Sequence, residues 1–276
     1  MESKDSENPR LNKRKNVENL TDKATNKARE TQTHVKSNKL KVFYTNADSL
    51  LNKIDELKLR ISSEDYDIVC VTEVKPKNSR YEMNPSEIQL DGYNLFHNIS
   101  ESGRGIATYI KTESKATIIS DTSAKFNEAL LLSVNTSGAD NLFIGCFYRS
   151  PNSSCENNEQ LNELIANLSK IYKGILIIGD FNYPLINWNT WSFNIKDKDS
   201  KEIQFIETIR DSYLDQIIKQ PTRYRCNEKS NVLDLVFTDN EQWIENLENI
   251  KQSKLNALFS TKKSPKKPSS HKRTRV

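Results

Sequence analysis

The chain has 276 residues, of which 35% are hydrophobic and 28% charged, with a formal net charge of +4. That length is enough for one large domain, but the apolar share is low for a chain folded throughout. No apolar run approaches the roughly 20 residues of a membrane span, and the polar opening MESKDSENPR has no secretory core. Cys70, Cys146, Cys155 and Cys226 show no CxxC spacing, which excludes a common zinc module and favours reduced thiols in a nuclear or cytoplasmic protein.

Charge divides the sequence into three parts. Residues 1–39 carry +4, residues 40–250 carry −9, and residues 251–276 carry +9 with no acid among them. All seven glycines lie in the middle part. This predicts a folded unit over 40–250 between a polar, basic tail at 1–39 and a basic tail at 251–276, both disordered. The basic clusters of the second tail point to nucleic-acid contact or nuclear targeting, or else to a merely solvated end.

In chain order, Leu40–Thr45 reads as a strand running into the polar turn NADS. Ser49 is a candidate cap for a helix whose Leu50, Ile54, Leu57 and Ile61 share one face. Asp67–Thr72 is a continuous apolar run, as in a strand buried on both faces. Gly105–Lys111, Ala116–Ser120, Ala129–Asn135 and Asn141–Tyr148 are further strands. Leu161, Leu164, Ile165, Leu168 and Ile171 mark a second amphipathic helix, and Ile175–Gly179 another buried strand. Lys201–Asp211 reads as a helix and Val232–Thr238 as a late strand. Buried strands with helices between and outside them predict a layered α/β domain.

Polar residues cluster at the ends of these apolar strands, where α/β sheets build their sites. Asn46 follows VFYT, Glu73 follows IVCVT, Tyr148 follows LFIGCF, Asp180 and Asn182 follow ILIIG, and Asp234 lies within VLDLVF. Singly, Glu73 reads as a capping acid, Tyr148 as a core tyrosine and Asp180 as a turn residue. Together they combine carboxylates for a hard cation with neutral donors for a phosphoryl oxygen.

With these residues the sequence resembles the endonuclease/exonuclease/phosphatase superfamily, specifically the endonuclease domain of non-LTR retrotransposons. The resemblance rests on TNADSLLNKIDEL, DIVCVTEVKP, GRGIATYIK, FYRSPNSS, ILIIGDFNYPLINW, DQIIKQPTR and NVLDLVFTD, and runs from about Leu40 to Ile250. It implies a four-layered α/β sandwich that nicks DNA with Mg²⁺ or Mn²⁺. By motif, Glu73 would hold the metal, with Asp48 as a second acid, and Asn46 would help to hold metal or phosphate. Tyr148 would stabilise the phosphate or leaving oxygen, Asp180 would aim the water, Asn182 would bind a phosphate oxygen, and Asp234 would orient a histidine. Arg149 and Asn152 of FYRSPN, Thr222 of PTR, and the tail lysines Lys262, Lys263, Lys266 and Lys267 would meet nucleic acid.

The family pattern closes with Ser-Asp-His on a last strand, and this sequence contains no Ser-Asp-His. His34 and His271 lie in the tails, and His97 in a different strand. The expectation is therefore a chain whose reading departs from the family near Ile250, lacks the last strand, leaves Asp234 unpartnered and has impaired activity. The alternatives are a DNA- or metal-binding relic, or a phosphatase or exonuclease of the same superfamily.

Overall fold

The computed structural model describes residues 39–262, apart from 78, 80–81, 100–102, 121–124, 136–140, 194–199, 223–230 and 249–257. Residues 1–38 and 263–276, which hold most of both expected disordered ends, lie outside the described residues.

Strand β1 (Lys39–Asn46) leads through a 3-10 turn at Leu50–Lys53 into helix α1 (Ile54–Glu64) and on to β2 (Ile68–Thr72). Next come β3 (Tyr93–Asn98), β4 (Ile106–Lys111), β5 (Ala116–Ile118), β6 (Ala129–Asn135) and β7 (Asn141–Tyr148). Helix α2 (Cys155–Ile171) returns the chain to β8 (Ile175–Asp180), which is followed by the short β9 (Ile186–Asn187) and β10 (Ser192–Phe193). Helix α3 (Lys201–Asp211), β11 (Asp215–Gln216), β12 (Asp234–Thr238), β13 (Ile244–Glu248) and β14 (Leu258–Lys262) complete the unit.

Two six-stranded sheets form, in the orders β13-β14-β1-β2-β4-β3 and β11-β12-β8-β7-β6-β5. Each contains one parallel pair joined by a helix, β1–β2 through α1 and β7–β8 through α2. A parallel pair cannot be closed by a tight turn, so the helix must cross over and cover a sheet face. Ser154 caps α2 by accepting from the Asn157 amide, and Ser200 caps α3 by accepting from Ile203. Ser49 precedes the 3-10 turn without making such a bond, so its expected capping role is not realised.

Three apolar clusters separate four layers. Val42, Tyr44, Ile68 and Cys70 of the first sheet meet Leu132, Ile144, Cys146 and Ile178 of the second. Leu57 of α1 packs on the outer face of the first sheet with Phe43, Val69 and Tyr109. Leu161, Leu164, Ile165 and Leu168 of α2, with Phe205 and Ile209 of α3, cover the outer face of the second. The molecule is therefore a four-layered α/β sandwich, as the sequence resemblance implies. Cys70 and Cys146 are buried and Cys155 is exposed, all as free thiols.

One expectation is corrected. β14 pairs antiparallel with β1, from Lys39 opposite Lys262 to Phe43 opposite Leu258, and β13 pairs with its other side. The edge of β1 is filled by a strand from the segment read as a basic tail. Two sheet contacts stabilise this short strand, whereas its local sequence carries only a brief β pattern.

Candidate active site

The carboxyl ends of both parallel pairs meet at one end of the sandwich. In the first sheet Asn46 stands opposite Thr72. In the second, Tyr148 and Asp234 both stand opposite Asp180, on its two neighbouring strands. Asn46 joins the sheets, because its Nδ2 donates to Asp180 Oδ2 over 2.7 Å. Tyr44 joins them again, its hydroxyl donating to Asp234 Oδ1 over 2.9 Å and lying 3.0 Å from Thr72 Oγ1.

The sequence GDFN sets the second half of the site. Phe181 turns into the helix-covered face, where it stacks on Phe147 at 5.9 Å and meets the edge of Phe237 at 5.3 Å. Such a ring removes on the order of 150–250 Å² from water, so it anchors its neighbours firmly. Asp180 and Asn182 on either side then face the site, and the Asn182 amide donates to Asp180 Oδ1 over 3.2 Å. Gly179 allows this strand to lie against β7, because a Cβ there would come 1.9 Å from the Phe147 carbonyl oxygen.

The first half rests on backbone in the left-handed region. Asp48, Ser49 and Glu73 have φ of 42°, 83° and 53°, and Asn182 has 49°. Such conformations persist only where surrounding bonds enforce them, and they concentrate at functional sites. Here Ala47, Ser49 and Leu50 donate to the carbonyls of Thr72, Glu73 and Val74 at 2.8–2.9 Å, which locks the two strand exits together.

Arg104, to which the sequence patterns assign no role, closes this half. Its Nη1 lies 2.9 Å from Glu73 Oε2 and its Nη2 2.5 Å from Asp48 Oδ1, while Nε donates to the Lys75 carbonyl over 2.9 Å. In the sequence it stands within the GRGIATYIK motif, between two glycines that both take positive φ in the structure (83° and 75°). Beside it opens a cleft of about 400 Å³, lined by Arg104, Tyr148, Asn98, Ser150, Ser154 and Asn157.

Electrostatics keep the two site tyrosines protonated. Burial pushes the Tyr148 phenol well above its ordinary value, and the charges of Glu73 and Asp180 raise it further, against Arg104. Burial likewise raises Tyr44, assisted by Asp234 and Asp180. Both are therefore neutral hydrogen-bond donors at physiological pH.

Three further expectations change. Arg149 is fully buried and has no surface for nucleic acid. It lies over the Tyr183 ring at 4.1 Å, donates to Asn158 Oδ1 over 2.7 Å, and donates to the Phe181 and Asn182 carbonyls over 3.3 and 3.0 Å. Asn182 Nδ2 donates in return to the Arg149 carbonyl over 2.8 Å. Arg149 is thus the support of the Asn182 turn. Thr222 is also buried, and its hydroxyl accepts from the amides of Leu233 and Asp234. Asp234, expected to lack a partner, has Tyr44. Asn152 is exposed in the turn after β7, and Lys262 ends β14. Lys263, Lys266, Lys267, His34 and His271 lie outside the described residues, and His97 is an exposed residue of β3.

Among the described residues, no three of His, Cys, Asp and Glu converge as a metal cluster. The hard oxygen donors at hand are Glu73 and Asp48, already gathered around one positive group.

The layers, the strand orders and this end-on constellation define the endonuclease/exonuclease/phosphatase fold. Residues 142–266 match the family described as endonuclease-reverse transcriptase. That match extends through β14, beyond the expected point of departure near Ile250. The endonuclease domain of TRAS1, a telomere-specific non-LTR retrotransposon, superposes with a TM-score of 0.60 at 16% identity, over 82% of this chain and 100% of that domain. The AP endonuclease LMAP from Leishmania major gives 0.59 at 13%, covering 81% and 88%. The 3′ phosphatase NExo from Neisseria, bound to a product DNA hairpin, gives 0.54 at 12%, covering 80% and 98%. No curated protein matches the sequence. Among the described residues, no helix is long and apolar enough to cross a membrane.

Proposed function

We propose that this site is built for divalent-metal-dependent cleavage of a DNA phosphodiester, as in a retrotransposon endonuclease, and that its turnover is impaired. The observation that carries the reading is Asp180, buried at a strand end and held by Asn46 from the opposite sheet and by the Asn182 amide. A carboxylate fixed in this way is suited to aim a water molecule at phosphorus.

Glu73 and Asp48 would hold Mg²⁺ or Mn²⁺. The donor set suits such an ion, because Mg²⁺ keeps several waters and needs only one or two carboxylates, and these two already share one cation. When bound, the metal would stabilise charge developing on the phosphoryl oxygens. Tyr148 supplies a neutral donor for a phosphate or leaving oxygen. Asn46 and Asn182 hold Asp180 in place. Asn152 and the lysines at 262, 263, 266 and 267 would meet the DNA backbone, with nine Lys/Arg and no acid over 251–276 for salt-sensitive retention.

The impairment has a local origin in this reading. The residues running into β14 are Ser253, Lys254, Leu255, Asn256 and Ala257. Aligning the expected Ser-Asp-His on Ser253 would set its aspartate and histidine against Lys254 and Leu255. Leucine offers neither a proton acceptor nor a donor, and loss of one member of a catalytic constellation commonly removes orders of magnitude in rate. The test is nicking of supercoiled plasmid in Mg²⁺. The parent should not exceed Asp180→Ala, whereas Lys254→Asp with Leu255→His should. Clear nicking by the parent that Asp180→Ala abolishes would overturn the impairment. A folded double variant that stays inactive would remove the Ser253 alignment.

A further inference from the structure

Arg104 makes three directed bonds at the proposed metal site, one to the segment that follows β1 and two to the segment that follows β2. Two go to the Glu73 and Asp48 carboxylates and one to the Lys75 carbonyl. The backbone of Arg104 is fixed to the segment that follows β2, since Lys75 donates to its carbonyl over 2.7 Å. Glu73 cannot retreat either. Its left-handed backbone is held by the Ser49 amide at 2.8 Å. What is left to move is the arginine side chain, and the cleft that it lines together with Tyr148 is open to it. Glu128, the acid of that cleft, already accepts from Ser150 Oγ over 2.7 Å and from Asn157 Nδ2 over 3.2 Å.

We propose that Arg104 is a resident counter-ion of the site: a divalent cation reaches Glu73 only by displacing its guanidinium, which then turns into the cleft to take a nucleic-acid phosphate. A planar guanidinium fork matches two phosphate oxygens as well as it matches carboxylates. Two cations on one pair of carboxylates repel, so the metal and the folded-back arginine exclude each other. Arg104 thus sets the metal threshold of the site and couples metal binding to DNA binding. This rests on the metal role assigned above to Glu73.

The test is calorimetric titration of the full-length chain with Mn²⁺, followed by binding of a fluorescent duplex with and without Mn²⁺ on an Asp180→Ala background. Arg104→Gln should bind Mn²⁺ about tenfold more tightly than the parent, the scale of losing a competing cation whose pair with Glu73 is largely shielded from water and whose pair with Asp48 is exposed. Glu73→Gln should lose the binding. With Arg104 present, Mn²⁺ should strengthen duplex binding severalfold, and with Arg104→Gln that gain should vanish. If Glu73→Gln loses Mn²⁺ while Arg104→Gln binds it as the parent does or more weakly, the counter-ion role fails alone. If the parent and every variant fail to bind, the metal site fails and this role with it. Should Arg104→Gln not fold, Arg104→Met, which keeps the apolar stem without the charge, carries the same comparison and should bind Mn²⁺ more tightly than the parent.

Discussion

The hydroxyl of Tyr44 donates to the carboxylate of Asp234 over 2.9 Å, between residues 190 positions apart that belong to different sheets. The bond gives a buried aspartate a neutral donor and ties β1 to β12 immediately beneath the site. Asp234 is thereby a structural carboxylate in its own right, whatever stands at position 255.

Tyr44→Phe removes that donor and leaves the ring. It should cost about 1–3 kcal/mol, the penalty of an under-satisfied buried acceptor. Thermal unfolding measures it. An unchanged melting temperature would show that Asp234 is held well enough by its other contacts.

Arg149→Lys keeps the charge but not the fork that reaches the Phe181 and Asn182 carbonyls and Asn158. Stability should fall by about 2 kcal/mol or more, with buried carbonyls left unpaired. Amide hydrogen exchange should rise at Asn182 and Tyr183. Protection equal to the parent's there would mean that the turn holds itself.

Gly179→Ala places a methyl group 1.9 Å from the Phe147 carbonyl oxygen, on a parallel neighbour that cannot give way without breaking the ladder. We expect a loss of more than about 3 kcal/mol, or no folded protein, by circular dichroism. A melting temperature within a few degrees of the parent's would show that β7 and β8 are not paired as closely as described.

Alkaline pH should unfold the protein through its tyrosines. Burial, then Asp65 and Asp67, push Tyr93 up to about 12, and burial pushes Tyr183 up to about 12 against Arg149. In the unfolded chain both titrate near 10.0. A phenol whose value is raised on folding contributes its full stability below the unfolded value and loses it as pH rises towards the folded one. The melting temperature should therefore fall between about pH 10 and 12. Absorbance at tyrosinate wavelengths should show ionisation coinciding with that fall. Early ionisation of all tyrosines with the fold intact would contradict the burial of these two.

Much of this was legible in the sequence. Ala129–Asn135, Asn141–Tyr148 and Lys201–Asp211 fold over the limits that their patterns mark. The strand-end residues Asn46, Tyr148, Asp180 and Asp234 converge because the registers of the parallel pairs and of antiparallel β12 bring the last residues of β1, β7 and β8 and the first of β12 to one rim. What was not legible depends on partners distant in sequence. Tyr44 looks like one more apolar residue of VFYT until β12 is placed opposite it. Arg149 reads as a surface base next to SPN, and only the Tyr183 ring and the carbonyls beneath show it to be buried. Strand β14 has five residues in a strongly basic stretch, and β1 and β13 on either side make it a strand.

Removing residues 258–276 should lower the melting temperature by several degrees and promote association, because it strips β1 and β13 of their shared neighbour. Sedimentation of the shortened chain at increasing concentration reports the second effect. A monomer as stable as the parent would mean that β14 adds nothing to the sheet.

The pairing of Lys39 with Lys262 makes the first and last strands of the domain immediate neighbours, with β14 inserted between β1 and β13. During synthesis β1 emerges first and must wait for nearly the whole domain before this partner leaves the ribosome. Every nascent intermediate therefore carries an open β1 edge, available to other chains or to chaperones. The nearness of those two strands also means that a short linker would join residue 262 to residue 39. The chain is thus suited to circular permutation, with new termini opened in the turn near Asn152, and a permutant of that kind would form the β1–β14 pair early.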